Sequence, residues 1–339
     1  EAEELFAALG ETRHLAVVRM NSANVLTELG EFRQAELLFR QARAQFEAEG
    51  LTSATAQLEL NLAHHLYFAR GDYQQALVTA GRVRETYLAL SDTVGVAHVD
   101  QCRSDVYLAL NLWQEGLERA REARSLFQAA DMAWDEARLW LNEGVALAHM
   151  NGRPPEAEAS NPTEALERAR EIFVREQNQV WLAMADLYRA AFDRRRGNLD
   201  SARAAAPHAR EAFLRAGLHS RAAQCDALLG EVALAEGDIP TAVRHFTTGL
   251  ERLKDADMPA VVYLCLAGLG RAEQARGRTA AALRHYRPAV ANGGRPPIAI
   301  GAGGYKMGFL NDKQGGLQGV ILPGPHQGTT GRREKGFEK

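Results

Sequence analysis

One six-residue pattern returns throughout the chain and limits how the chain can fold. It opens with glycine or asparagine, carries an apolar residue two positions later in most copies, and ends in alanine or glycine. The copies begin at Gly30, Gly71, Asn111, Gly197, Gly237 and Gly277. Their starts differ by 41, 40, 86, 40 and 40 residues, and 86 equals two periods plus an insertion. A constant period of about 20–50 residues indicates a stack of structural repeats.

The chemistry of this pattern predicts a turn between two helices. Glycine can adopt the left-handed conformation that closes a helix C-terminus. An acidic or amide residue after it, such as Asp72, offers a side-chain acceptor to the unpaired N–H groups of the next helix. Pro240 suits the first turn of a helix, where its missing N–H would have no partner. Each unit is therefore predicted to be one helix–turn–helix hairpin.

Two further columns of residues support this register. A small residue precedes the last residue of the turn pattern by twelve positions, or by thirteen at Ala63, and it stands at Ala23, Ala63, Ser104, Ala190, Gly230 and Gly270. Gly144 holds the same place in the unit with the insertion. A large apolar residue follows the start of the turn by sixteen positions, at Phe46, Tyr87, Phe127, Phe213 and Leu253, with Phe173 in the longer unit. We expect the small residues to let two helices approach closely and the large ones to seal one hairpin against the next.

These columns resemble the tetratricopeptide repeat (TPR) family, whose signature stands here as Ala63, Gly71, Tyr73 and Ala76. The resemblance covers about residues 1–291 and implies an all-α, right-handed superhelical solenoid of about seven antiparallel helix pairs. The period of 40 residues departs from the standard period of about 34, and we place the six extra residues between hairpins. Long-period arrays of this kind are typical of large bacterial regulatory proteins.

The repeat columns divide residues 1–291 into hairpins at 12–50, 51–91, 92–131, 132–177, 178–217, 218–257 and 258–291. The first ten residues match the end of a second helix, so we expect the chain to begin inside a repeat and to be a fragment of a longer protein. The fourth hairpin carries an insertion at 151–162 whose Pro154 and Pro155 prevent helix. We predict an exposed loop there, with a helix restarting at Pro162.

Residues 292–339 differ in composition, because they hold 13 of the 30 glycines and 4 of the 11 prolines. No helical or strand periodicity is visible, so we predict an irregular tail. Two origins stay open, a reading-frame error in a GC-rich gene and a naturally disordered segment. Residues 309–314 resemble the helix that joins repeat arrays to a CHAT-type, caspase-like peptidase domain.

Composition argues against several classes of function. A formal net charge of −3 and a pI near 6.4 disfavour broad nucleic-acid binding, which needs a basic excess. No apolar run reaches the roughly 18 residues of a membrane helix. Cys102, Cys225 and Cys265 lack the spacing of a zinc set or a redox pair, which suits a reducing cytoplasm. We therefore expect a cytoplasmic protein with neither nucleic-acid nor membrane partners.

No constellation of catalytic or metal-binding residues emerges. Residues 301–304 are glycine-rich but lack the strand and the helix that a dinucleotide site requires. The pair His64 and His65 has no third ligand in its sequence context, and no serine or cysteine nucleophile has a matching base motif. We therefore expect no catalytic site, no metal site and no cofactor.

The resemblance instead implies a binding surface, because the first helices of TPR hairpins line the concave face of the superhelix. Counting along the first helices selects candidate groove residues for a protein or peptide partner. They are Asn24, Gln57, His64, Tyr67, His98, Gln101, Asp105 and Arg138. We expect Tyr67 and Arg138 to face solvent.

The resulting hypothesis is a non-catalytic protein- or peptide-binding scaffold. It would serve as the regulatory array of a larger bacterial protein such as a CHAT-type peptidase, where an effector domain of the same chain is a second partner. The alternative is a ligand-sensing repeat segment of a bacterial transcription activator or ATPase regulator.

Overall fold

The computed structural model of the chain describes residues 2–150, 161–254, 259–291, 307–311 and 317–321. The chain divides into two compact units, Glu1–Ile300 and Gly301–Lys339. The predicted loop within the insertion at 151–162 lies outside the described residues up to position 160. Asn161 accepts a hydrogen bond from the backbone N–H of Glu164, and Pro162 begins the next helix, as predicted.

Fifteen helices lie within the described part of the first unit. They are α1 (Ala2–Ala8), α2 (Thr12–Leu29), α3 (Phe32–Ala48), α4 (Thr52–Asn61, continued by a π-helical turn at Leu62–Tyr67), α5 (Tyr73–Ala89), α6 (Thr93–Ala109), α7 (Trp113–Ala129), α8 (Ala133–His149), α9 (Pro162–Arg175), α10 (Gln179–Arg195), α11 (Leu199–Arg215), α12 (His219–Ala235), α13 (Ile239–Arg252), α14 (Pro259–Ala275) and α15 (Thr279–Ala291). Helices α2–α15 form seven antiparallel pairs, so the predicted all-α fold of stacked hairpins is confirmed.

The forty-residue period arises from helix length, which corrects the prediction that six extra residues lie between hairpins. Helices α6, α7, α8, α10, α11 and α12 each span 17 residues. The links after α6, α7, α10, α11 and α12 are three residues each. Two such helices with their two links complete one period. The turns between hairpins are thus as short as the turns within them.

Each link that the structure describes in full contains one residue in the left-handed conformation. Within hairpins it is the predicted glycine, for example Gly71 (φ 74°) and Gly237 (φ 79°), and Asn111 (φ 61°) where glycine is absent. Between hairpins the same conformation occurs at Gly50, Ser91, Asp131, Gln177 and Gly217. The predicted caps are present where the sequence supplies them, since Asp72, Asn198 and Asp238 each accept a backbone hydrogen bond from the following helix.

The second hairpin is one residue longer than its neighbours, and a π-helical turn absorbs the extra residue. Ala63 keeps the position of the small-residue column within its helix, whereas Gly71 comes one residue later than the other turn residues do. The insertion therefore lies between these two residues, where the π-turn Leu62–Tyr67 occurs. A π-turn of this kind accommodates a single inserted residue within a helix.

The large and small residue columns form the core as predicted. Phe46, Phe127, Phe173 and Phe213 are at most 1% exposed. Ala76, Ala202 and Ala242 are fully buried at the hairpin contacts. A Cβ placed on Gly230 would lie 2.6 Å from Cε1 of Phe246, so this position has no room for a side chain.

The first helices of the hairpins lie on the inside of the superhelix. Consecutive first helices contact one another from α2 to α14, whereas the second helices contact mainly the helices next to them in sequence. In addition, α12 of the sixth hairpin contacts α2 of the first. The array therefore winds far enough for its inner helices to close on themselves.

A polar pair with a constant separation of sixteen residues joins successive hairpins. Its members are Glu3–Arg19, Arg43–Glu59, Arg84–Asp100, Arg170–Asp186 and Arg210–Asp226. Between α7 and α8 Arg124 meets Trp140 instead, with its guanidinium carbon 3.6 Å from the ring centroid, and between α13 and α14 the two positions hold Leu250 and Leu266. Each pair links a second helix to the first helix that follows it, so the ladder ties the stack together along its length.

The described part of the second unit is a pair of antiparallel strands, β1 (Met307–Asn311) and β2 (Leu317–Ile321). Met307 pairs with Ile321 and Asn311 with Leu317. The expectation of an irregular tail therefore does not hold for these ten residues, because strand pairing supplies an order that their composition does not reveal. The rest of the predicted tail lies outside the described residues. Residues 309–311 of the segment that resembles the CHAT linker lie in β1.

Replacing Ala202 with leucine should destabilise the array by about 1–3 kcal/mol through overpacking. Ala204 is exposed on the same helix, so Ala204→Leu serves as the matched control and should leave stability unchanged. Chemical denaturation of both variants measures the difference. Equal stabilities would show that Ala202 does not mark a tight hairpin contact.

Neutralising Asp226 should lower the free energy of unfolding by more than Ala202→Leu does. This carboxylate is 0% exposed and accepts hydrogen bonds from Arg210 (2.8 Å) and Arg252 (2.7 Å). Asp226→Asn leaves two guanidinium groups without their charge partner, so we expect a loss of about 3–5 kcal/mol. Asp200→Asn, at a carboxylate 88% exposed, is the control and should change the unfolding free energy by less than about 1 kcal/mol.

Candidate functional site

The inner face of the first helices brings together three of the eight predicted groove residues. His64 on the π-turn, Asp105 on α6 and Arg138 on α8 come from three successive hairpins. His64 Nε2 lies 2.5 Å from Asp105 Oδ2, and Arg138 Nη2 lies 4.0 Å from the same oxygen. Their side chains are only 14%, 20% and 17% exposed. They form a partly enclosed charged cluster rather than an open, solvated surface.

Asn142 completes this cluster, although the sequence analysis did not select it. Its amide Nδ2 donates to Asp105 Oδ1 at 2.6 Å and to Ser104 Oγ at 3.2 Å. The Ser104 hydroxyl in turn donates to the backbone carbonyl of Gly116 at 2.8 Å. Both oxygens of Asp105 are therefore engaged, and the carboxylate is held by groups on neighbouring hairpins.

Burial and pairing set the charge states of the central pair. Burial acts to raise the pKa of Asp105, but the hydrogen bond from His64 and the nearby charge of Arg138 outweigh it, and the pKa is lowered. Burial lowers the pKa of His64 despite the opposing effect of Asp105. A carboxylate can only accept, so a neutral His64 must carry its proton on Nε2 and donate it to Asp105. The pair thus presents one negative charge.

Arg138 lies between two tryptophans that the sequence analysis also missed. Its guanidinium carbon is 5.1 Å from the ring centroid of Trp134 and 4.8 Å from that of Trp181. The two rings meet edge to face at 5.7 Å. The expectation that Arg138 faces solvent is therefore wrong, because the closed winding of the array packs the next first helix against it.

His98 and Gln101 lie beside this cluster. The His98 ring contacts Phe127 at 4.8 Å, and its Nδ1 is 3.9 Å from Asp135 Oδ1. Burial raises the pKa of Asp135, with His98 and Arg138 opposing, and burial lowers the pKa of His98. Two buried polar atoms here, Gln101 Nε2 and Asp135 Oδ1, have no hydrogen-bond partner among the described residues.

The remaining three predicted residues lie apart from the cluster. Gln57 donates to Asn61 and accepts from the Tyr87 hydroxyl at 3.3 Å, so it serves the packing of its own hairpin. Tyr67 packs against the cores of the first two hairpins, which corrects the expectation that it faces solvent. Asn24 on α2 keeps a buried Oδ1 with no hydrogen-bond partner in the described structure.

A second sequence signal points to His64, independently of the count along the first helices. The thirteen-residue spacing at Ala63 marks the one-residue insertion, and His64 and His65 directly follow that alanine. Single-turn π-bulges occur frequently at functional sites, so the insertion itself points to this position. Trp134, Asn142 and Trp181 carry no comparable signal, because apolar and amide residues are common throughout these helices.

A separate cavity of about 520 Å³ opens between α3, α4 and α5. Its charged lining includes Arg43, Glu59 and Arg82, and the Glu59 carboxylate forms an ion pair with each arginine. No group of three or more His, Cys, Asp or Glu side chains that could hold a metal ion occurs among the residues described here. None of the described helices is both long enough and apolar enough to cross a membrane.

Comparison with solved structures identifies the architecture. The apo form of RapI matches with a TM-score of 0.58 and 13% identity, over 82% of this chain and 97% of RapI. A Rap protein complexed with competence and sporulation factor matches at 0.53 and 15% identity, over 84% of this chain and 97% of that one. A STAND protein with a tetratricopeptide repeat sensor from Pyrococcus horikoshii matches at 0.52 and 12% identity, over 86% of this chain and 44% of its own length.

These similarities show the fold. The TPR-like resemblance inferred from the sequence is confirmed as a helical repeat superhelix. No protein-family model matches the sequence. No curated protein matches it either.

A buried histidine near the end of α8 predicts a pH-dependent stability. His149 stacks on Trp113 with ring centroids 4.0 Å apart, and burial, aided by Arg195, lowers its pKa to about 3. The unfolded chain binds a proton at this residue near pH 6.5, whereas the folded array does not. The contribution of His149 to the free energy of unfolding is therefore fully present above pH 6.5. It is lost as the pH falls below that value, by about 1–2 kcal/mol at pH 5.

Thermal melts at pH 7 and pH 5 measure this loss. His149→Gln should reduce the difference between the two melting temperatures, because glutamine does not titrate. His208 is exposed on α11, and His208→Gln should leave the difference as it is in the parent. An undiminished difference in His149→Gln would contradict the assignment.

Proposed function

We propose that the array recognises a peptide, or an extended segment of a protein partner, along its inner face, and that it acts by binding rather than by catalysis. The observation that carries this proposal is the cluster around Arg138. Two tryptophan rings, a paired carboxylate and two unpartnered buried polar atoms meet there on successive first helices. Leaving buried polar atoms without partners costs about 1–3 kcal/mol each, and a bound chain would satisfy them.

The chemistry of the cluster suits a peptide backbone better than a compact metabolite. An extended peptide alternates N–H donors with carbonyl acceptors and extends about 3.3 Å per residue. The inner face offers it an amide donor at Gln101 Nε2 and a carboxylate acceptor at Asp135 Oδ1. The flat rings of Trp134 and Trp181 supply apolar contact area. Because these groups come from three first helices, a ligand must extend across several hairpins to use them.

The fold comparisons support a recognition role. One matched structure is a Rap protein solved in complex with competence and sporulation factor, so this architecture can hold a ligand. We propose that this chain holds its ligand on the inner side of its own superhelix, in the reducing cytoplasm. Its three cysteines are buried and unpaired, which fits that compartment.

We further propose that binding to the array controls an effector domain, for which there are two candidates. A CHAT-type peptidase within a larger protein is one candidate, on the resemblance of residues 309–314, of which residues 309–311 form part of β1. The sensor alternative has an observation in its favour. A STAND protein with a tetratricopeptide repeat sensor matches 86% of this chain, and this chain spans 44% of that protein.

Peptide selection followed by mutagenesis tests the proposal. The full chain is immobilised and exposed to a pooled heptapeptide library, and the retained peptides are sequenced by mass spectrometry. The affinity of the most enriched peptide is then measured by calorimetry. Arg138→Ala and Trp181→Ala should each weaken it by about 1–3 kcal/mol, because buried arginine and tryptophan dominate most binding sites.

Arg168→Ala provides the matched control. Arg168 lies on α9 with 58% of its side chain exposed and pairs only with Glu171 of the same helix among the contacts described. This variant should bind the enriched peptide as the parent does. Circular dichroism and melting temperature establish that all variants are folded. Unchanged affinity in both Arg138→Ala and Trp181→Ala would place binding elsewhere on the array, and a library with no enriched peptide would remove the proposal.

A further inference from the structure

A second group of arginines lies farther along the inner helices and has more positive charge than its surroundings neutralise. Arg194 and Arg195 end α10, and Arg271 lies on α14. Glu231 on α12 lies between them, but Arg271 already engages both of its carboxylate oxygens. Arg194 Nη1 stays 3.9 Å from Glu231. One carboxylate therefore faces two guanidinium groups, and the charge of Arg195 lies close to Arg194.

The unpartnered atoms have the arrangement that a carboxylate requires. Nε and Nη2 of Arg194 are buried without a hydrogen-bond partner among the described residues, and so is Nη1 of Arg195. Nε and Nη2 lie on the same edge of a guanidinium plane, so they can donate two parallel hydrogen bonds. Carboxylates bind to such an edge in a bidentate manner. The opposite edge of Arg194, which carries Nη1, faces Glu231.

The electrostatic surroundings agree with this geometry. Burial lowers the pKa of Arg194, Glu231 opposes that effect, and the neighbouring charges of Arg271 and Arg195 add to it. The side chain of Arg194 is only 12% exposed. A buried cation with two unpaired donors is costly unless an anion joins it, which makes this position unusual for a merely structural arginine.

The position also fits the peptide site proposed above. Trp181 of the Arg138 cluster lies on α10, thirteen residues before Arg194 on the same helix. Thirteen helical residues correspond to a rise of about 20 Å, which about six residues of an extended peptide would cover. One bound heptapeptide can therefore reach both groups.

We propose that Arg194, with Arg195 and Arg271 around it, binds a carboxylate of the peptide that occupies the inner face. The inference rests on the proposed peptide recognition and adds the chemical class of one anchoring group. That group is either the C-terminal carboxylate of the peptide or an acidic side chain. It sets the direction in which the peptide lies along the inner helices.

Three pooled heptapeptide libraries test this anchor on the immobilised full chain. The first has free C-terminal carboxylates and no Asp or Glu, the second has C-terminal amides and includes Asp and Glu, and the third has C-terminal amides and no Asp or Glu. We expect the chain to retain peptides from the first or the second library and little from the third. Retention from the first identifies the C-terminal carboxylate, and retention from the second identifies an acidic side chain.

The variant Arg194→Gln should reduce retention of the selected peptide by about 10- to 150-fold, the range for a hydrogen bond to a charged group. Arg194→Lys keeps the charge without the two-donor edge and should also bind more weakly than the parent. Arg196→Gln is the matched control, because Arg196 is exposed at the end of the same helix, and it should bind as the parent does. Melting temperatures confirm that each variant is folded.

The outcomes separate the two proposals. If the third library is retained as well as the others, or if both Arg194 variants bind the selected peptide like the parent, the carboxylate anchor is wrong while peptide recognition stands. If none of the three libraries is retained, both proposals fail.

Discussion

A single helical hairpin of this chain cannot bury its own apolar residues, and the structure depends on their burial against the neighbouring hairpins. Phe127, Phe173 and Phe213 each stand near the end of a second helix and are 0% exposed. Phe213 belongs to one core with Ala222 and Cys225 of the next first helix. Stability in such an array is the sum of many interfaces between neighbours. Every hairpin must therefore present nearly the same shape to the next.

Constant helix and link lengths meet that requirement. Helices of 17 residues joined by three-residue links place the sealing residue at the same height in each repeat. The left-handed residue in each fully described link keeps the turns alike, whether glycine, asparagine, serine, aspartate or glutamine occupies it. The polar pairs separated by sixteen residues fix how neighbouring hairpins align, because a pair such as Arg84–Asp100 forms only in one register.

The same regular winding creates the inner face. Because each first helix contacts the first helix of the next hairpin, their inward side chains lie close enough to pair with one another. Polar residues that would be solvated on an open array are instead partly buried, and their hydrogen bonds are shared among hairpins. Asp105 illustrates this, since its partners His64, Arg138 and Asn142 come from the hairpins on either side. Some inward groups, such as Arg194 Nε, have no hydrogen-bond partner among the described residues. A ligand that forms hydrogen bonds with these groups would gain the most binding free energy.

The sequence by itself determined the repeat architecture, because turn glycines and packing columns act locally and recur at a constant spacing. It predicted the seven hairpins and the sealing aromatics, and the TPR resemblance implied that the first helices line the inner face. Three of eight candidate residues, His64, Asp105 and Arg138, proved to be one cluster. Only the tertiary structure decided which inward residues meet. The tryptophans around Arg138, the Asn142 bridge and the unpaired edge of Arg194 depend on the pitch and closure of the superhelix. That geometry accumulates over several hairpins, so no local pattern encodes it.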